Sequence, residues 1–284
     1  MKYLAMSELD VKRERLVDLI RSYGSCAVAF SGGIDSTVVA KAAQVALGGK
    51  AVAFTGTSAS LASGELEEAT RLATLIGIRH EVVATGEFSN PAYVQNASDR
   101  CYHCKTELYT QIEGMAERFD VAVVVNGANL DDLGDYRPGM RAAGEHHVES
   151  PLAECGFRKD DVRALAAHWE LPTWDKPAMP CLSSRVAYGE EVTPERLTMI
   201  DQAEQFLREQ GLRMLRVRYH KGDVARLEVP LDALAKLCEG GLRETLVARF
   251  KALGFKYVTL DLEGFRSGSL NALVNISGPA KPGS

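Results

Sequence analysis

Ser31-Gly32-Gly33-Ile34-Asp35-Ser36 follows the apolar run Cys26-Ala27-Val28-Ala29-Phe30 and runs straight into Thr37-Val38-Val39-Ala40-Lys41-Ala42-Ala43. A buried strand that breaks into glycines and a serine, then opens a helix, leaves backbone N–H groups converging at the positive end of a helix dipole. That is a place for phosphate. The glycines let the backbone approach an anion, and the hydroxyls of Ser31 and Ser36 add uncharged donors. Asp35 would repel phosphate unless a cation sits between them, so Mg2+ is implied. The offsets fit neither the lysine-bearing G-x-x-x-x-G-K-[ST] loop nor the dinucleotide G-x-G-x-x-G turn.

Cys101-Tyr102-His103-Cys104 is a C-x-x-C, a spacing open to zinc, redox or iron–sulfur use. Cys181 stands in Pro177-Ala178-Met179-Pro180-Cys181-Leu182-Ser183-Ser184-Arg185, where a neighbouring guanidinium is expected to favour the thiolate. Cys26, Cys155 and Cys238 read as small buried hydrophobes. Lys105 and Lys176 are candidate point charges for pyrophosphate oxygens, with a solvated surface lysine as the rival reading. Arg216 and Arg218 alternate on an expected strand and so share a face, which suits a substrate phosphate or a merely solvated surface. Asp131, Asp132 and Asp135 crowd a turn next to Asn129, where they could bind Mg2+ or cap and solvate the turn, capping being the expected use.

The loop at 31–36 resembles the SGGxDS loop of the ATP pyrophosphatases, which adenylate a carboxylate or carbonyl oxygen and release pyrophosphate. With Cys101-Tyr102-His103-Cys104-Lys105, Asn126-Gly127-Ala128-Asn129, Asp131 through Gly139 and Pro180 through Arg185 added, the chain resembles the LarE family of ATP-dependent sulfur transferases. The resemblance covers the first domain best; Arg216-Val217-Arg218 is the main match beyond it. It implies adenylation of a carboxylate of pyridinium-3,5-biscarboxylic acid mononucleotide, attack by sulfur with Cys181 as the catalytic thiol, and a thiocarboxylate product. The expected contacts to ATP, AMP or pyrophosphate are Ala29, Phe30, Ser31, Gly32, Gly33, Asp35, Ser36, Thr55, Lys105, Gly127 and Lys176, with Asp35 also on Mg2+. Arg216 and Arg218 are expected on the substrate phosphate. Two sulfur sources occur in the family. Cys101, Cys104 and Cys181 together match the form that holds a [4Fe-4S] cluster with one open iron, and this is the expectation; the other form sacrifices the sulfur of the Cys181 position and leaves dehydroalanine. The resemblance also implies a homo-oligomer, a hexamer; it names no sulfur donor.

The elements that position these residues alternate. Expected helices at 8–22, 37–47, 65–76, 99–119 and 157–169 are interleaved with expected strands at 25–30, 50–55, 80–83 and 121–125. This pattern argues for an α/β fold, a doubly wound parallel sheet with its ligand beyond the carboxyl ends of the strands; the ATP pyrophosphatase resemblance implies the adenine nucleotide alpha hydrolase type. From Thr193-Pro194-Glu195-Arg196, a helix start, the texture changes to a smaller α+β block with strands near 215–219, 225–229, 257–260 and 271–276. The expected domains are 1–188 for the nucleotide, 189–277 for substrate binding and oligomerisation, and 278–284 as a disordered tail.

Composition narrows the partners. In 284 residues, 33 Lys+Arg against 38 Asp+Glu give a net charge of −5, which argues against an RNA face and hence against a tRNA thiolase. No apolar stretch is long enough for a membrane span or signal segment, so a cytoplasmic protein is expected, in which six cysteines do not build a disulfide framework. The remaining rivals are an amide-forming synthetase, which needs ammonia and not Cys181, and a non-catalytic nucleotide or iron–sulfur scaffold.

Overall fold

The computed structural model describes residues 7–133, 138–177 and 179–266. The expected strand at 271–276, the tail, Asp135 and Ala178 lie outside them. In chain order the helices and strands are α1 (Glu8–Ser22), β1 (Cys26–Ala29), α2 (Ile34–Leu47), β2 (Ala51–Thr57), α3 (Glu65–Ile76), β3 (Arg79–Ala84), α4 (Pro91–Val94), α5 (Arg100–Ala116) and β4 (Val123–Val125). There follow α6 (Leu130–Leu133), α7 (Pro138–Glu145), α8 (Pro151–Glu154), α9 (Lys159–His168), α10 (Pro194–Glu209), β5 (Arg216–His220), β6 (Val224–Glu228), α11 (Leu234–Cys238), α12 (Gly240–Ala252) and β7 (Tyr257–Leu260). Among the described residues no helix is long and apolar enough to cross a membrane.

Two compact units divide the chain. The first takes the described residues of Met1–Ser58, Ser63–Glu87 and Cys101–Met179; the second takes those of Ala59–Ala62, Phe88–Arg100 and Pro180–Ser284. Side chains of 93–100 explain why that segment groups with residues after 180. Asn96 Nδ2 donates to the carbonyls of Ala187 at 2.9 Å and Glu190 at 3.0 Å, and Arg100 Nη1 donates to Ser183 O at 2.8 Å.

The first unit carries a parallel sheet in the order β3-β2-β1-β4, the α/β arrangement expected from the alternating pattern. Successive residues of β1 face opposite ways: Cys26 and Val28 enter one core with Leu16, Val38 and Leu165, while Ala27 and Ala29 enter another with Tyr109, Ile112 and Ala142. Both faces are therefore covered, and the strand is apolar throughout. Because β1 pairs with β2 on one side and β4 on the other, the chain reverses its direction of winding between β1 and β4. The crevice beyond their carboxyl ends is where such sheets bind ligands.

The second unit has a sheet in the order β5-β6-β7, antiparallel then parallel. Gly222 and Asp223, at φ 81° and 58°, make the tight β5–β6 turn. Thr193 caps α10 by accepting from Arg196 N at 3.3 Å, and Pro194 takes its first turn. Val217, Tyr219, Leu227, Phe250 and Phe255 are buried within this unit.

Candidate active site

The loop between β1 and α2 is pinned by its own hydroxyls. Ser36 Oγ donates to Gly33 O at 3.0 Å and receives Ser31 N–H at 3.2 Å; Thr37 Oγ1 donates to Gly33 O at 2.8 Å. Gly32 sits at φ 67°, a conformation that favours glycine. Gly127, just past β4, is pressed onto the same turn: a Cβ there would lie 2.7 Å from Ser36 N and 2.9 Å from the Asp35 carbonyl carbon. Only a glycine lets β4 deliver its end to the start of α2. Asp35 itself is bound on both oxygens, by Asn129 Nδ2 at 3.1 Å and by Lys159 Nζ at 2.5 Å.

Ala29 and Phe30 are buried at the end of β1, and Phe30 N donates to Phe54 O at 2.8 Å. Thr55 is buried too; its hydroxyl donates to Phe30 O at 2.8 Å and meets His80 Nε2 at 2.8 Å, so this side chain ties β2 to β1. With the Thr55 proton given to Phe30, the imidazole proton lies on Nε2. Lys176 Nζ pairs with Glu65 Oε2 at 3.2 Å. Lys105 is half-buried with its ammonium 5.9 Å from the Tyr109 ring centre. Asp132 accepts from Asn129 N at 3.1 Å and so caps its turn as expected.

Cys101 and Cys104 fall inside the start of α5, within the expected helix, exposed and half-buried respectively. Their spacing places them on neighbouring positions of one helix face. Cys181 is exposed and belongs to the second unit. Among the described residues no group of three or more His, Cys, Asp or Glu is placed so that it could hold a metal ion. For Mg2+ the donors fit: Asp35 presents carboxylate oxygens, the ligands a hard cation prefers, beside the loop at 31–36.

Arg185 does not lie free beside the Cys181 thiol; the residue is 3 % exposed and its guanidinium turns inward, donating to the carbonyls of Pro180 and Cys181 and, through Nε, to Glu204 Oε1 at 3.1 Å. A cation inserted among carbonyls is satisfied by a buried carboxylate, and so it clamps the loop. Arg218 Nη1 donates to Ser184 O at 2.7 Å while its Nη2 pairs with buried Glu228 at 3.0 Å. Arg216 is buried over the Phe265 ring at 4.7 Å and donates to Arg266 O at 3.3 Å. Burial, with Arg218 and Arg185 as neighbouring cations, pulls its guanidinium down to about 10. The expected shared face is real, although neither arginine is a solvated one. Cys238, expected buried, is exposed at the end of α11.

Sequence reading passed over Lys159, Glu204, Glu228, Asn96 and Arg100. Each is a charged or amide residue that sequence leaves unremarkable, and only its burial or partner sets it apart.

Residues 15–110 match the family described as asparagine synthase. Over 94 % of its length the chain is 45 % identical to an uncharacterized protein of Synechocystis sp., 99 % of which is covered. Over a like span it is 36 % identical to a pyridinium-3,5-bisthiocarboxylic acid mononucleotide synthase of Lactiplantibacillus plantarum, covering 96 % of that protein. A glutamine-hydrolyzing GMP synthase polypeptide of Archaeoglobus fulgidus is 26 % identical over 70 % of the chain and 67 % of its own length.

Proposed function

Because the chain belongs to the LarE family of pyridinium-3,5-bisthiocarboxylic acid mononucleotide synthases, with a relative aligned over almost all of its length, we propose that it is an ATP-dependent sulfurtransferase acting on the pyridinium biscarboxylate mononucleotide. The observation that carries the ATP half is the loop at 31–36, braced by Gly127 and fronted by Asp35. A substrate carboxylate oxygen attacks the α-phosphorus, the bond from that phosphorus to the bridging oxygen breaks, and pyrophosphate leaves into the amides of this loop. The acyl adenylate is needed because carboxylate oxygen leaves poorly and AMP leaves well. Sulfur then adds to the carbonyl carbon and AMP departs: a sulfide donor gives the thiocarboxylate directly, whereas Cys181 Sγ gives a thioester that releases the thiocarboxylate when the Cα proton is lost and the Cβ–Sγ bond breaks, leaving dehydroalanine.

Bound Mg2+ would lie on Asp35 and offset charge on the phosphates. Arg216 and Arg218 are proposed to receive the substrate phosphate: a buried guanidinium crowded by other cations gains from an anion. Ala29, Phe30, Lys105 and Lys176 remain proposed nucleotide contacts, with Thr55 acting through the position of its strand. Cys181 is the proposed sulfur-bearing residue, exposed on a clamped loop.

For the source of sulfur, the three-cysteine cluster rests on cysteine count and spacing, without a gathered ligand group among the described residues. The second reading, loss of sulfur from Cys181 itself, needs only that one exposed thiol. The intact mass before and after one turnover separates them: a chain lighter by one hydrogen sulfide means sacrifice, an unchanged chain that takes up iron and sulfide means a cluster. The remaining proposals are a cytoplasmic homo-oligomer, a hexamer by family resemblance, with residues 189–277 serving substrate and assembly, and no nucleic-acid partner.

The test of the whole reading is pyrophosphate release with and without the pyridinium substrate. Wild type releases it only with substrate and forms AMP; Cys181→Ala still adenylates and makes no thiocarboxylate. An amide-forming synthetase, towards which the asparagine synthase and GMP synthase matches point, would retain product formation in Cys181→Ala with ammonia. ADP as product, or release independent of substrate, would reject the proposal.

A further inference from the structure

In the sequence Phe157-Arg158-Lys159-Asp160-Asp161 reads as an ordinary charged helix start. In the fold Lys159 opens α9 with its ammonium 2.5 Å from Asp35 Oδ2, the two side chains being 35 % and 25 % exposed. The rest of the segment is anchored. Lys159 N donates to Asp131 Oδ2 at 2.8 Å, Arg158 Nη1 to Asp131 Oδ1 at 2.8 Å, and Leu130 N to Phe157 O at 2.9 Å. The chain after β4 thus ties the start of α9 beside the first turn of α2, and a partly shielded cation is held where phosphate is to bind.

A carboxylate facing a phosphate site must be neutralised when the site is empty as well as when it is full. The ammonium does this in the free protein. A divalent cation arriving with a triphosphate competes for the same oxygen, since hard cations take carboxylate ligands. Once displaced from Asp35, the Lys159 charge stays tethered by its backbone within reach of the loop. An ammonium is suited to changing partners, being a compact charge on a flexible stem.

We infer that Lys159 is a further residue of the nucleotide site: it holds Asp35 in the free protein, yields that carboxylate to the metal that accompanies ATP, and then places its charge on the pyrophosphate. This rests on the reading of residues 31–36 as the phosphate loop. Towards Asp35 it is a positioning residue; towards pyrophosphate it is a binding residue.

The probes are Mn2+ alone, followed by electron paramagnetic resonance, and inorganic pyrophosphate with Mn2+, followed by calorimetry. Both are titrated into the full chain as wild type, Lys159→Met, Lys159→Arg and Ser36→Ala. Lys159→Met is expected to bind Mn2+ several-fold more tightly, its competitor for Asp35 being gone, and metal–pyrophosphate about tenfold or more weakly. Lys159→Arg recovers most pyrophosphate binding. A merely structural role would weaken both probes together, and that outcome, like wild-type affinities in Lys159→Met while Ser36→Ala loses pyrophosphate, overturns the inference and leaves the loop intact. If wild type binds no pyrophosphate, or Ser36→Ala binds it equally well, the loop reading falls and takes Lys159 with it.

Discussion

Single atoms decide much at the start of α2. A methyl group on Gly127 would fall 2.7 Å from the Ser36 amide nitrogen, against backbone that cannot swing aside. Gly127→Ala is therefore expected to destabilise the protein by about 1–3 kcal/mol and to abolish nucleotide binding, read by urea denaturation and ATP calorimetry. Wild-type affinity in this variant would mean that β4 does not support the loop. The thiols divide as sharply. Burial pushes Cys26 up to about 12 and Cys155 up to about 11, whereas Cys101, Cys181 and Cys238 are exposed. At pH 8 a maleimide should modify those three in the native protein and reach Cys26 and Cys155 only after unfolding, as mass spectrometry of the peptides will show.

Among the elements, α10 carries a buried carboxylate that binds two arginines. Its Glu204 is fully buried and accepts from Arg185 Nε at 3.1 Å, Val217 N at 3.1 Å and Arg208 Nη2 at 2.8 Å. One carboxylate thereby joins helix, strand and the loop that carries Cys181. Glu204→Ala strands the buried Arg185 charge and should destabilise by about 3–5 kcal/mol, with Glu204→Gln milder because it keeps a hydrogen-bond acceptor. A urea midpoint within error of wild type for Glu204→Ala would show that water replaces the carboxylate. The clamp on the Cys181 carbonyl explains why Arg185, close in sequence to an exposed thiol, serves the backbone: a buried guanidinium goes where acceptors are, and here they are carbonyls and Glu204.

At the scale of the whole molecule, two half-buried imidazoles make stability depend on pH near neutrality. Burial lowers His80, and burial with the neighbouring Arg226 and Arg218 lowers His220, below the ordinary 6.5. A histidine that resists protonation when folded lets the unfolded chain take up the proton first, so stability is full above about pH 6.5 and declines as pH falls below it. The thermal midpoint should drop between pH 7 and 5.5, and less so in His80→Gln. An unchanged difference between wild type and His80→Gln over that range would remove His80 from the account.

How much of this was legible depends on range. The parallel sheet, the helix from 65 to 76 with Gly77 at φ 77° closing it, and the Thr193-Pro194 start of α10 follow from local periodicity and capping, which neighbouring residues carry by themselves. The phosphate loop was equally readable, since its glycines, hydroxyls and carboxylate lie within six positions. Lys159 against Asp35, Gly127 against Ser36 and Glu204 beneath Arg185 were not, because each partnership joins residues far apart in the chain. Residue types determined which chemistry is possible here; the winding of β4 back beside β1 and the burial of charges decided which side chains face ligand and which hold the fold, since electrostatic and steric forces act through space and not along the sequence.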